Sequence, residues 1–382
     1  MRYSLQREAQ SVLWEPGRDA REQHPTVWCG RAVLGDVVSI HRRASGGAQL
    51  RGVTTCQRPW TCPVCCVRLA QARAEELSRA VVEWVKGGGL VYLVTYTFPH
   101  EGDQALGELL EGFYDARKRF CNSRTFKGIR EAHESPGVVR STEVTVGRRN
   151  GWHPHVHELL FVRGPLLAEE CDRLRSEWIR LLLKVGLGDQ SKVSDMWERA
   201  LDIRGGEDAA AYIAAMGREE KWGVSAELTR RHAKQGSALP SNETFKPFAL
   251  LALSMGGDGW ARARFSEYAE AFEGRRLLTW SPGMRDRLGL GEEVADDQVP
   301  EDERYEPCCE VSREAWQVVL SRRAVPALIE LVDLQGHDPP AAQRMVDEFV
   351  AACRRAPATG SGAVKVRGLF GLAVIDEPVT WQ

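Results

Sequence analysis

Three of the chain's nine histidines stand at alternate positions in one segment, His153-Pro154-His155-Val156-His157. Side chains alternate across an extended strand, so His153, His155 and His157 would share one face. Imidazoles spaced in this way can converge on a single cation or on a phosphate. The segment Val138–Val146 reads as a partner strand, joined through Arg149-Asn150-Gly151 as a three-residue hairpin loop with glycine in the left-handed position. That loop pairs Arg148 with Trp152, Thr145 with His155 and Glu143 with His157, which brings Glu143 to the histidine face as an oxygen ligand. A two-residue Asn-Gly turn would instead send Glu143 to the far side. Pro154 lies on the opposite face, and proline in a strand predicts an edge position or a strand start. Mixed imidazole and carboxylate ligation with open positions suits Mn²⁺ or Mg²⁺ at a phosphate, while histidine also suits Zn²⁺. Such a cation polarises a phosphoryl oxygen and stabilises charge as phosphorus is attacked.

A second group of residues suits a structural metal. Cys62-Pro63-Val64-Cys65 is a Cys-x-x-Cys knuckle, with Cys56 six residues earlier and Cys29 further upstream. Four thiolates close a tetrahedral zinc site, which can hold together a small segment that lacks its own core. Redox chemistry is the usual competitor for a Cys-x-x-Cys pair; the extra cysteines and the setting of Arg51, Arg58, Trp60 and Arg68 favour zinc. Cys66 could take the place of Cys65. Cys121, Cys171, Cys308, Cys309 and Cys353 show no partner pattern and read as packing residues.

The elements that must position these residues follow from periodicity. Helical spacing is expected over Val67–Lys86, Ala105–Phe120, Leu166–Val185 and an Ala-rich stretch, Ala209–Met216. Leu90–Phe98 is β-branched and aromatic and reads as a buried strand. Helices are also expected over Phe248–Leu251, Trp260–Phe272, around Met284, and near 312–333 and 339–355, before a last strand-like piece over Ala363–Ile375. Strands interleaved with helices predict an α+β domain with an antiparallel sheet between about 90 and 290.

At 382 residues, with 43% hydrophobic and 27% charged residues, the chain has the composition of a soluble protein of two or three domains. It carries no apolar run of membrane-spanning length and its N-terminus lacks an apolar signal core, so a cytoplasmic address without membrane association is expected. The net charge of −2 argues against a general nucleic-acid coat. It averages two opposed blocks. A basic one holds Arg117, Lys118, Arg119, Arg124, Lys127, Arg130, Arg140, Arg148 and Arg149 and leads into the histidine strand; an acidic one runs from Glu292 to Glu310. A positive field near the site is what phosphate neutralisation needs.

These residues resemble the rolling-circle replication initiators of plasmids, within the HUH endonuclease superfamily. Gly151-Trp152-His153-Pro154-His155-Val156-His157 is similar to that family's second motif, and Leu93-Val94-Thr95-Tyr96-Thr97-Phe98-Pro99-His100 to its first. Trp222-Gly223, Ala226-Glu227-Leu228, Pro247-Phe248-Ala249-Leu250-Leu251 and Leu278-Thr279-Trp280-Ser281 resemble segments of initiators from actinobacterial plasmids. The resemblance spans about residues 29–290. It implies a tyrosine nucleophile on a helix after the histidine strand, and the matching position is Tyr212. Attack on a DNA phosphate would leave a 5′-phosphotyrosine and a free 3′-hydroxyl. Asp208, one helical turn earlier, is implied as a general base that activates water to end replication; it could equally be an N-cap. The family's lysine three residues after the tyrosine is replaced by Ala215, and Arg218 or Lys221 could substitute for it.

The fold expected from these signs is an HUH core, a ferredoxin- or RRM-like antiparallel sheet flanked by helices. A small N-terminal zinc module and a mainly helical C-terminal region would be added to it. The expected layout is an extension over 1–28, a cysteine-rich module and helix over 29–89, the nuclease domain over 90–290, an acidic linker over 291–310 and an accessory region over 311–382. The expected activity is that of a metal-assisted endonuclease and strand transferase acting on single-stranded and hairpin origin DNA, gripped by Arg148, Arg149, Arg218 and Lys221. The resemblance implies a host helicase and DNA polymerase as partners. Three other readings exist: an HUH transposase or relaxase with the same chemistry, a histidine-triad nucleotide hydrolase with a histidine nucleophile, and a zinc DNA-binding regulator without activity.

Overall fold

The computed structural model describes residues 1–44, 46–100, 102, 104–216, 244–296, 298–300, 302–336 and 338–355. The chain forms two compact bodies, Met1–Arg58 together with Pro300 onward, and Pro59–Val299. It begins the first body with a helix, Arg2–Val12 (α1), which buries Tyr3, Leu5, Ala9 and Val12. The first residues are thus no extension; the Tyr3 hydroxyl accepts from the Leu50 amide at 2.9 Å. Two antiparallel strands follow, Val37–Arg42 (β1) and Ala48–Arg51 (β2).

The second body opens with Pro63–Lys86 (α2), whose proline sits at the helix start, where its missing N–H costs nothing. Then come Leu90–Tyr96 (β3), Leu106–Asn122 (α3), Arg124–Ala132 (α4), Gly137–Gly147 (β4), Gly151–Val162 (β5), Ala168–Lys184 (α5), Val193–Arg199 (α6), Leu201–Arg204 (β6) and Gly206–Met216 (α7). After the undescribed stretch 217–243 come Thr244–Phe245 (β7), Pro247–Met255 (α8), Gly259–Ala271 (α9), Thr279–Trp280 (β8) and Met284–Arg287 (α10). The strands form an antiparallel sheet in the order β6-β3-β5-β4-β7, with β8 on the remaining length of β4. The α+β class with antiparallel sheet and flanking helices is therefore as expected.

Strand alternation divides the core. Tyr96 and Glu158 face α3 and α5, where Tyr96 packs edge-on against Phe120 and Trp178. The other face carries the histidines and packs on α2, with Trp84 against Phe161. Pro154 lies inside β5, not at its start, and β5 sits between β3 and β4. The proline is tolerated because β3 ends opposite Val156, so β5 at Pro154 has only β4 beside it.

The chain then returns to the first body with Glu306–Ser312 (β9), which pairs antiparallel with β1, Val38 opposite Val311 and Ile40 opposite Cys309. Helices Arg313–Ser321 (α11), Val325–Gln335 (α12) and Pro339–Arg355 (α13) follow. The acidic stretch expected as a linker is thus built into the structure, because its carboxylates find cations. Arg73 of α2 binds Asp296 at 2.6 Å and Glu293 at 3.8 Å, while Arg43 pairs with Asp302. The expected strand over Ala363–Ile375 lies outside the described residues.

Candidate active site

Gly147 pairs with Gly151, so the turn is Arg148-Arg149-Asn150 and Gly151 opens β5. Gly151 has φ +67°, and a Cβ there would meet the Gly102 carbonyl oxygen at 2.5 Å. The expected pairings of Arg148 with Trp152, Thr145 with His155 and Glu143 with His157 are corrected: Thr145 faces His153, Glu143 faces His155 and Ser141 faces His157. The left-handed residue comes after the turn, as the first residue of the strand. The displacement is two residues along one strand, so every side chain keeps its face.

On that face Glu143, His155 and His157 each offer a ligand atom, all within 4.8 Å of one another. The two Nε2 atoms stand 3.5 Å (His155) and 3.7 Å (His157) from Glu143 Oε2. Two ligands sharing one cation at about 2.1 Å can be at most about 4.2 Å apart; both imidazole–carboxylate distances meet that limit, and the donor types suit a divalent ion. Both rings are held from behind. His157 Nδ1 shares a hydrogen bond of 3.1 Å with Thr95 Oγ1, and His155 Nδ1 lies 3.4 Å from the His153 carbonyl. His153 points to the same face but stacks on His100, centroids 4.8 Å apart and planes 16° from parallel. Burial, and then the neighbouring His100 and His155, push its pKa down to about 4.

Tyr212 of α7 joins this group, its ring 4.7 Å from that of His157. Its buried hydroxyl lies beside Ser141 and Glu143. Burial foremost, and then the Glu143 charge, raise its pKa well above the usual phenol value. Ala210, Ala211 and Ala214 are exposed on the outer side of the helix. Asp208, also exposed, lies 3.7 Å from Arg204.

The other expected residues are more scattered. Arg148 pairs with Asp258 and lies 4.4 Å over the Trp260 ring; Arg149 is exposed at the turn. Arg218 and Lys221 lie outside the described residues, as do Trp222-Gly223 and Ala226-Glu227-Leu228. Cys62 caps α2 and Cys65 is in its first turn, both buried, whereas Cys29 and Cys56 belong to the first body. Thr95, Ser141 and the His100–His153 stack are features of the site that spacing alone did not pick out. Ser141 was within reach of the alternation rule, two residues before Glu143. Arg117, counted in the basic block, is buried and paired with Glu158, which also accepts from Tyr96 at 3.1 Å.

The family described as Replication protein matches residues 47–319, and this chain belongs to it. It is 30% identical over 325 residues to the Protein rep of Streptomyces lividans, a match covering 68% of this chain and 70% of that one. Over 160 residues it is 32% identical to the Neomycin resistance protein of Streptomyces cyanogenus, covering 36% and 37% of the two chains. Over 146 residues it is 29% identical to the Protein rep of Lentilactobacillus hilgardii, covering 37% and 40%. No solved structure matches the chain. Among the described residues, no helix is long and apolar enough to cross a membrane.

Proposed function

We propose that this protein is a plasmid replication initiator that cuts single-stranded origin DNA by transesterification on Tyr212, in the manner of HUH endonucleases. The observation that carries the reading is the placement of the Tyr212 hydroxyl beside Glu143, on the sheet face where Glu143, His155 and His157 converge. Mn²⁺ or Mg²⁺ held by these three residues would neutralise charge on a phosphoryl oxygen. The Tyr212 oxygen forms a bond to phosphorus while the bond from phosphorus to the 3′-oxygen breaks. The phenol loses one proton and the 3′-oxygen gains one, so the step is neutral overall. It leaves a 5′-phosphotyrosine and a 3′-hydroxyl from which a polymerase can extend. Burial and the Glu143 charge raise the phenol pKa, and the positive charge of a cation held beside it would favour the phenolate. His153, stacked on His100 and largely neutral at pH 7, is placed to contact a phosphate or, as a fourth donor, the metal. Asp208, on the same helix one turn away, is the proposed base for the closing hydrolysis, and Arg149 the proposed contact at the hairpin tip.

Zinc on Cys29, Cys56, Cys62 and Cys65 is proposed from their spacing, and a host helicase and DNA polymerase as partners from the family resemblance. A histidine-triad hydrolase would leave Tyr212 without a task, and family membership favours replication over transposition or conjugation.

The test uses labelled single-stranded origin DNA with Mn²⁺. The wild-type protein should form a covalent adduct, and Tyr212→Phe should form none. An adduct that survives this substitution would refute the nucleophile, and cleavage undiminished in EDTA would refute the metal.

A further inference from the structure

The sheet face away from the histidines carries a second feature. A cavity of about 470 Å³ is lined by Tyr114 and Lys118 of α3, Arg140 and Thr142 of β4, and Arg275 and Arg276 ahead of β8. Among the described residues, none of those lining it is a carboxylate. The charge of Arg276 is answered by Glu293 at 3.0 Å. Among the described residues, no carboxylate lies within ion-pair distance of Lys118, Arg140 or Arg275. The cavity is also rigidly built. The Tyr114 hydroxyl is hydrogen-bonded to Thr142 Oγ1 at 2.6 Å, and its ring lies 4.7 Å from the Arg275 guanidinium and 5.8 Å from that of Arg140. Arg275 is fixed in turn by its Nε donating to the Ala271 carbonyl at 2.7 Å.

Like charges gathered around one partly desolvated space raise each other's energy, and an anion seated among them relieves it. Guanidinium forks held in place suit the oxygens of a phosphate. Lys118 and Arg276 stand exposed at the rim, so a ligand that continues as a chain can pass through and leave.

We propose that this cavity binds a phosphodiester of the origin DNA outside the segment being cut, on the opposite side of the sheet from Tyr212. The inference rests on the reading of the protein as an origin-nicking initiator, with one difference: its test needs no catalysis. The full-length Tyr212→Phe protein in EDTA is titrated with a fluorescent 40-nucleotide mixed-sequence single strand, and with its duplex, across a series of NaCl concentrations. Adding Lys118→Ala and Arg140→Ala together should reduce the slope of log affinity against log salt by about 0.7 on the single strand, or about 0.9 on the duplex, as expected when one phosphate is no longer neutralised. The arm in which the slope falls identifies the source of the phosphate. Lys118→Arg with Arg140→Lys, which keeps both charges, should retain the parental slope. Unchanged slopes in both arms overturn the proposal, and so does an equal fall in the charge-retaining pair, which would make the effect structural. Because no adduct forms in this background, a failed adduct test and a failed salt test are read separately.

Discussion

At the scale of single residues, the site depends on how each imidazole is turned. Thr95 occupies Nδ1 of His157, which leaves Nε2 directed at Glu143. Partners of this kind fix ring orientation, and their loss typically weakens a metal site about 10- to 100-fold. Thr95→Val should therefore lower Mn²⁺ affinity by that factor in calorimetric titration. Thr97→Val should leave it within about twofold, well short of the effect of removing a ring-orienting partner, because the Thr97 hydroxyl donates to the Arg199 carbonyl at 2.9 Å instead. Equal effects of the two substitutions would show that Thr95 does not orient the ligand.

At the scale of elements, three junctions can be tested. The β4–β5 hairpin depends on Gly151, whose left-handed backbone and lack of a Cβ bring it against Gly102. Gly151→Ala should cost about 2 kcal/mol or more from conformation and collision together, seen as a lower urea midpoint at unchanged slope. Helix α3 is tied to β5 by the buried Arg117–Glu158 pair. Glu158→Leu alone leaves a guanidinium buried without its partner and should destabilise by about 3–5 kcal/mol, whereas Arg117→Met with Glu158→Leu should recover most of that loss. Cys62 stands at the start of α2 and Cys65 in its first turn, both buried. Purified protein should carry about one zinc per chain if these are structural ligands, and Cys62→Ser should lose it by elemental analysis.

At the scale of the whole molecule, the path of the chain matters more than its composition. The first body uses both flanks of the sequence, since β9 completes the sheet begun by β1 and β2. A region expected as an accessory after a linker is therefore part of a core. A chain ending at Val299 would strip β1 of β9 and uncover Val38 and Ile40, both fully buried in the intact protein. Limited proteolysis should then cut within residues 1–58 and should spare them in the full chain. The net charge of −2 is likewise no guide to where DNA can bind. Arg73 and Arg43 absorb the acidic stretch, while Lys118, Arg140 and Arg275 gather on one face of the sheet.

What the sequence determined by itself was local and periodic. Alternation put His153, His155 and His157 on one face and Glu143 with them, and this survived a misplaced turn because a two-residue slip preserves parity. Helical spacing located α2, α3, α5 and α7 to within a few residues. The tertiary structure decided whatever depends on neighbours distant in sequence. Glu143 stands opposite His155 rather than His157, His153 is drawn to His100, and the Tyr212 hydroxyl lies beside Glu143 and Ser141. It also sent Arg117 and Arg140 of the basic block to the opposite side of the sheet from the histidines. The physical reason is that a strand's period fixes which way a side chain points. What it meets there depends on register and on helices that arrive from elsewhere in the chain.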